Sequence, residues 1–499
     1  MNENESLFRH LQKYSASGAL PMHMPGHKRR VSGIPFLEEL GAHCDITEID
    51  GFDDLHRPQG VLLEAMEKAA RLWQSRQTLF LVNGSTCGIL AAVRACAASD
   101  NSGKIIMARN CHRSVYNAAE LCALEPVYIE PEQVKDFGFC GSIMPKAIEI
   151  AVRDNPGAPV ILTSPSYEGV LSNISEIAII CHMYGSPLIV DEAHGAHLDL
   201  SPYFVGGAVH GGADIVVQSL HKTLTGLTQS ALLHISSDLV SAKEVQNELA
   251  VFETSSPSYL LMASIDGTRE LIEQRGGELF RSWKRALDAF DQKVGLLQSL
   301  RLPGHSELFC CQPRVNDGGY NLENGACPEI YGYDRSKIVI SCEGTDTSGV
   351  ALMSELRRRY NIECEMASCG YVVAMTGLLD TDETLDRLAL ALIELDREIH
   401  RTAPRIHLKP PGIPKRRMDV AGAKARRSCA MNIKEARGQI SAEYVWAYPP
   451  GIPLVVPGEE LSEELLRSFV VQREAGVELR SSSGGMPLTV RVVCPEPNT

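Results

Sequence analysis

Lys222 stands in the run Gln218-Ser219-Leu220-His221-Lys222-Thr223, directly after the apolar, β-branched stretch Ala213-Asp214-Ile215-Val216-Val217. A lysine at the end of a buried strand is badly placed for a surface charge and well placed for a Schiff base. Desolvation and nearby cations lower a lysine pKa and expose the neutral amine that attacks a carbonyl. Two other runs place polar groups after apolar stretches. Asp191-Glu192-Ala193-His194-Gly195-Ala196-His197 follows Pro187–Val190, and an aspartate ending a buried strand must be paired to stay charged. Asn83-Gly84-Ser85-Thr86 follows Leu79–Val82. There the Ser85 and Thr86 hydroxyls and the first N–H groups of a helix would form an anion cup. Each run also has a plainer reading: a solvated lysine, an aspartate capping a turn, a helix N-cap. Asp191, His194 and His197 are also metal-ligand types.

These runs must be positioned by regular elements. From about 61 to 235 the sequence alternates strand and helix patterns. Strands are expected at Leu79–Val82, Lys104–Ala108, Pro126–Ile129, Val160–Thr163, Pro187–Asp191, Asp214–Gln218 and Ala231–Ile235. Helices are expected at Val61–Gln77, from Gly84 to about Ala98, and at Ser114–Cys122, Met144–Asp154 and Ile174–Tyr184. That alternation predicts an α/β fold with a mostly parallel central sheet covered on both faces. Continuous runs such as Leu188-Ile189-Val190 suit strands buried on both sides. In such a sheet ligands bind beyond the carboxyl ends of the strands, where all three polar runs fall. The expected division is an N-terminal arm over 1–58, a large domain over 59–268, a smaller α+β domain over 269–401, a basic Pro-rich linker over 402–434 and a C-terminal segment over 435–499. In the α+β domain, helices are expected over Glu278–Leu300, Ser348–Tyr360 and Glu383–His400, with a strand at Lys337–Ser341; another strand is expected at Thr489–Val493.

Composition narrows the classes. The chain has 499 residues, 44% apolar and 22% charged, with a formal charge of −14. This fits a globular protein of several domains and disfavours nucleic acid or an anionic membrane as partner. Its 15 cysteines are scattered without a C-x-x-C pair, so free thiols in a reducing cytosol are expected rather than a disulfide framework. The polar start Met1-Asn2-Glu3-Asn4-Glu5 does not read as a signal peptide, and no apolar run is long enough to cross a membrane.

One ligand would engage all three polar runs: pyridoxal 5′-phosphate, with an aldehyde for Lys222, a ring nitrogen for Asp191 and a phosphate for Ser85 and Thr86. No G-x-G-x-x-G or G-x-x-x-x-G-K-[ST] run supports a nucleotide instead.

Further motifs carry a resemblance. They are Met24-Pro25-Gly26-His27-Lys28, Asp53-Asp54-Leu55-His56, Arg109-Asn110-Cys111-His112-Arg113-Ser114, Thr163-Ser164-Pro165-Ser166-Tyr167-Glu168-Gly169, Thr254-Ser255-Ser256-Pro257-Ser258-Tyr259 and Tyr448-Pro449-Pro450-Gly451-Ile452-Pro453. With the three runs above, in this order, the chain resembles the bacterial ornithine/lysine/arginine decarboxylases of the aspartate-aminotransferase fold, in their short form without an N-terminal receiver-like domain. The resemblance implies that Lys222 forms the Schiff base with the cofactor and Asp191 pairs with the pyridinium nitrogen. It implies that His112 stacks on the ring, that Ser85, Thr86, Ser219 and His221 hold the phosphate, and that His194 lies near ring and substrate. It further implies that Ser256 reaches the cofactor phosphate of a partner subunit, making a homodimer or higher oligomer the active form. Arginine is the expected substrate, giving agmatine, with lysine and then ornithine as alternatives. Carboxylates that could meet a cationic side chain are Asp53, Asp54 and Glu443, though each is expected more readily as a solvated or structural group. Rival classes are an aminotransferase or β-eliminating lyase on the same scaffold, a cofactor-binding protein without turnover, and a metallohydrolase using Asp191, His194 and His197. An aminotransferase usually fixes the substrate carboxylate with an arginine of the small domain, and Arg357, Arg358 and Arg359 there read as surface charge.

Overall fold

A computed structural model describes residues 6–29, 32–98, 102–134, 137–303, 314–316, 319–321, 329–402, 412–448, 451–484 and 488–495. Its described residues fall into two units, each assembled from separate stretches of chain.

The first unit comprises Met1–Asn101, Ile174–Lys284 and Gly377–Leu379. Four strands lie side by side in the order Gln77–Leu81, Ala231–Ile235, Ile215–Ser219, Leu188–Asp191. The last pair is parallel, with Val190 opposite Val216. Ala231–Ile235 runs antiparallel to both neighbours, Ala231 lying opposite Leu81 on one side and Ser219 on the other. Strands Gln77–Leu81, Ile215–Ser219 and Leu188–Asp191 therefore end at the same edge, where Ala231–Ile235 begins. Nearly every residue in the four is buried, as expected of strands covered on both faces. Helix Gly84–Ala98 covers this sheet and packs on helix Ala242–Phe252. Gly88 lets it lie close: a Cβ there would stand 2.6 Å from a Leu81 methyl and 3.1 Å from Val217 Cγ1. Helix Val61–Trp73 stops short of the expected Gln77 because Gln74 turns left-handed at φ 56°. The N-terminal stretch, where no regular pattern is expected, forms helices Leu7–Ala16 and Pro35–Glu39.

The second unit comprises Ser102–Asn173, Arg285–Thr376 and Asp380–Thr499. Strand Lys104–Ala108 pairs in parallel with Glu125–Ile129 and with Val160–Thr163. Lys337–Ser341, Tyr371–Met375 and Met366–Ala367 form an antiparallel sheet against helix Gly349–Tyr360. Toward the C-terminus, Ser428–Asn432 pairs with Thr489–Val493, and Val445–Ala447 lies between Pro453–Val455 and Leu479–Ser481. Val445, Leu465, Phe469 and Val490 pack together beneath them.

One helix departs from expectation. Tyr259–Val294 is continuous over 36 residues, where a helix is expected only from Glu278. Gly267, Gly276 and Gly277 dilute its first half in sequence, but tertiary packing keeps it helical, with Tyr259, Met262, Ile265, Phe280 and Trp283 buried.

Candidate active site

The shared strand edge of the first unit gathers most of the expected site. Ile215–Ser219 leads directly into a single turn, Leu220–Thr223, which carries Lys222. Two backbone bonds brace that turn: Leu220 N–H donates to the Ser230 carbonyl at 3.1 Å, and Leu378 N–H donates to Thr223 O at 2.9 Å. Lys222 Nζ lies 2.8 Å from His194 Nε2. His194 is 5% exposed, and Asp191, at the end of the neighbouring strand, is 4% exposed. Asp191 Oδ1 accepts from Ala193 N–H at 3.2 Å, a turn that fixes the carboxylate at the strand tip.

Ser85 and Ser219 meet on the other side. Their hydroxyls are 2.6 Å apart, joining the start of helix Gly84–Ala98 to the end of Ile215–Ser219. Gly84 has φ 72°, where a side chain would be strained, and its N–H donates to Gln229 O at 2.9 Å. Nothing lies within 4 Å of where a Gly84 Cβ would be, so the cup is open above the backbone. Thr86 is exposed at the same helix start. His221 Nδ1 lies 3.0 Å from Ser230 O. Burial lowers the His221 pKa, opposed by that carbonyl, and the Lys222 charge lowers it further, which favours a neutral ring. Ser256 is exposed, its N–H donating to Thr254 Oγ1 at 3.2 Å.

His112 belongs to the second unit. It is an exposed N-cap rather than a core histidine: Nδ1 accepts from Ser114 N–H at 3.2 Å and lies 2.9 Å from Ser114 Oγ. A ring whose Nδ1 accepts carries its proton on Nε2 when neutral. Gly451 approaches it, with a Cβ there 3.7 Å from His112 Nε2. The adjoining Pro449 and Pro450 lie outside the described residues.

The remaining candidates have structural partners. Asp53, at φ 72°, accepts from the N–H groups of Gln59, Gly60 and Leu62 and so caps helix Val61–Trp73. Asp54 Oδ1 accepts from His56 N–H at 2.8 Å. Glu443, 2% exposed, accepts from Arg491 N–H at 2.6 Å and from the Ser483 hydroxyl. All three carboxylates thus accept hydrogen bonds from the protein itself. His197 is fully buried against Phe204 and Trp283, with Nδ1 3.1 Å from Thr223 Oγ1, and among the described residues no group of three His, Cys, Asp or Glu side chains could hold a metal. Glu192, between Asp191 and His194, accepts from Ala208 N–H and from Gln218 Nε2, both at 2.7 Å. Gln218 in turn meets His234, which burial pushes down to about 3 and keeps neutral. This buried network stiffens the sheet under the lysine.

One residue escaped the sequence reading. Glu253 precedes the Thr254–Tyr259 run and is 7% exposed, with Oε1 accepting from Val82 N–H at 2.6 Å. Its only signal in sequence is a single acid after an apolar helix end, Leu249-Ala250-Val251-Phe252.

An amine beside an imidazole, a buried carboxylate and an open hydroxyl-lined helix start on one strand edge form a donor set that fits pyridoxal 5′-phosphate. Residues 5–350 match the model of the Orn/Lys/Arg decarboxylase major domain, and residues 413–478 match that of its C-terminal domain. Arginine decarboxylase of Bacillus subtilis is 29% identical over 99% of both chains. Arginine decarboxylase of Halalkalibacterium halodurans is 30% identical over 98% of both. Among solved structures, lysine decarboxylase A from Pseudomonas aeruginosa superposes with a TM-score of 0.78 at 18% identity, over 99% of this chain and 81% of that one. The chain belongs to the Orn/Lys/Arg decarboxylase family.

Proposed function

We propose that this protein is a pyridoxal 5′-phosphate-dependent decarboxylase that converts L-arginine to agmatine and carbon dioxide. The observation that carries the reading is the 2.8 Å approach of Lys222 Nζ to His194 Nε2, beside Asp191 and the Ser85–Ser219 pair on one strand edge. The choice of arginine is supported by the two relatives of that name matched over nearly the whole chain.

When bound, the cofactor supplies an aldehyde for the substrate amine and a ring that accepts the electron pair left as carbon dioxide departs. Lys222 must present a neutral amine, and the His194 imidazole at 2.8 Å is placed to take its proton and to return one. Asp191, buried at the strand tip, would keep the ring nitrogen protonated by charge pairing. Ser85, Thr86, Ser219, His221 and the first N–H groups of helix Gly84–Ala98 would hold the phosphate. His112 would lie flat against the ring, and exposed Ser256 would serve the phosphate of a partner subunit, which makes a homodimer the working unit. Among the described residues no helix is long and apolar enough to cross a membrane. Buried free thiols such as Cys87, which burial pushes to about 12, suit a reducing cytoplasm.

An aminotransferase reading wants a free arginine in the small domain. Arg357, Arg358 and Arg359 are ion-paired with Glu363, Glu355 and Glu398 on a helix surface instead. The test is a screen of arginine, lysine and ornithine with cofactor supplied, following released carbon dioxide and keto acid. The expected result is carbon dioxide from arginine with a kcat/KM at least about tenfold above the other two, or about 1.4 kcal/mol of discrimination. Keto acid without carbon dioxide contradicts the reaction, and equal or better turnover of lysine contradicts the substrate.

A further inference from the structure

Three motifs with no shared role in sequence meet around Glu253. The Asn83–Thr86 cup begins where strand Gln77–Leu81 ends, and Glu253 Oε1 accepts from Val82 N–H at 2.6 Å. The same carboxylate faces the Asn83 N–H. One residue further, Thr254 N–H donates to Asn83 Oδ1 at 3.2 Å, so side chain and backbone of the cup are tied to the 253–254 step from both directions. The Asp53–His56 motif closes the junction. His56 Nε2 lies 2.9 Å from Thr254 O, and the Tyr259 hydroxyl donates to the carbonyls of Phe52 and Asp53 at 3.1 and 2.5 Å. Satisfying a strand-end N–H does not require a carboxylate, and burying one is costly. Its use here is for reach: Oε1 spans from the helix end at 253 to the Val82 N–H, a distance that a side chain shorter by one methylene does not cover.

We propose that Glu253 is a positioning residue for the phosphate of the cofactor, setting the peptide planes of Val82 and Asn83 so that the following N–H groups and Ser85 converge on one anion. Glu253 touches neither the ring nor the substrate; it acts through the cup. The inference rests on the cofactor reading given above.

The experiment compares wild type, Glu253→Asp and Glu253→Gln, each stripped of cofactor and titrated with pyridoxal 5′-phosphate and with pyridoxal, which lacks the phosphate. Asp keeps the charge but withdraws the acceptor by one methylene. Gln keeps an acceptor oxygen at full reach. The expected result is that Glu253→Asp binds pyridoxal 5′-phosphate about tenfold to a hundredfold more weakly. Its pyridoxal affinity should stay within about twofold of wild type, and Glu253→Gln should stay within about threefold for both ligands. An Asp variant that binds the phosphate ester like wild type overturns the proposal. So does equal loss of both ligands, which marks a general lesion, and so does a Gln variant as impaired as the Asp one. If the Asp variant does not fold, amide exchange on wild type decides. Bound pyridoxal 5′-phosphate should slow exchange across 82–86 and 253–256 together, and protection confined to 84–86 overturns the junction. A wild-type chain that binds pyridoxal and pyridoxal 5′-phosphate in neither case overturns the cofactor reading itself, which the other outcomes leave standing.

Discussion

At the scale of residues, function depends on protons held at a few atoms. In the proposed reaction Lys222 acts as a neutral amine, and His194 Nε2 lies 2.8 Å from its Nζ. Replacing Lys222 by Ala should abolish the Schiff-base absorbance of the protein with cofactor; retained absorbance would move that bond elsewhere. Asp191→Ala should bind cofactor weakly and lose at least about a thousandfold in turnover, read as kcat, because the ring then loses its proton. Glu253 makes a separate prediction about pH. Burial pushes its carboxyl from an ordinary 4.5 up to about 7, against the opposing pull of the Val82 and Asn83 N–H groups and the nearby His56. The Cys87 thiol also faces it. Between those two values the folded chain holds a proton that the unfolded chain has lost, so stability falls as pH rises through that window. The loss should be on the order of 2–3 kcal/mol, and Glu253→Gln should lack it. Denaturation midpoints at pH 5 and pH 8 check this: parallel pH slopes for the two proteins would refute the buried ionisation. Residue chemistry was partly legible in sequence. Lys222, Asp191, His194, Ser85 and Ser219 announce themselves as polar groups after apolar strands. The partners of Asp53, Asp54 and Glu443 are backbone N–H groups up to 48 positions away, which no pattern along the chain reveals.

At the scale of elements, strand ends do the positioning, and strands were the most readable feature. The bounds expected for Lys104–Ala108, Val160–Thr163, Ala231–Ile235, Lys337–Ser341 and Thr489–Val493 coincide with those observed, because each is a short apolar run between turn residues. The order and direction of neighbours were not readable: antiparallel Ala231–Ile235 brings Gln229 and Ser230 to the edge from which the Lys222 turn leaves, and only the register shows it. Helix Tyr259–Val294 was half missed because its glycines mimic a breaker. In the second unit, the loop that carries His112 is anchored by Arg109, which bonds buried Glu459 at 2.9 Å while its guanidinium lies 4.7 Å from the centre of the Tyr128 ring. Glu459 also accepts from Val456 N–H at 2.9 Å. Arg109→Ala strands a buried carboxylate and should cost about 3 kcal/mol, seen as a lower denaturation midpoint. Replacing Arg109 without change in the midpoint would show that the pair carries no net stabilisation. Gly88→Val would force a branched side chain into the 2.6 and 3.1 Å gaps toward Leu81 and Val217, lifting the cup helix from its sheet.

At the scale of the whole molecule, the acidic charge, the free thiols and the α/β alternation set the class, and the ordered motifs set the family. Each of the two units is assembled from separate stretches of chain, which sequence composition does not show. Arginine rather than lysine is a property of groups that no motif names, so the substrate screen is needed beside the family assignment. The central claim is narrower and can be tested directly. Protein loaded with pyridoxal 5′-phosphate is reduced with borohydride, digested, and its peptides weighed. The account predicts one phosphopyridoxyl group on the peptide containing Lys222 and none in the Lys222→Ala variant. A label on another lysine, or none on the wild-type protein, would contradict it.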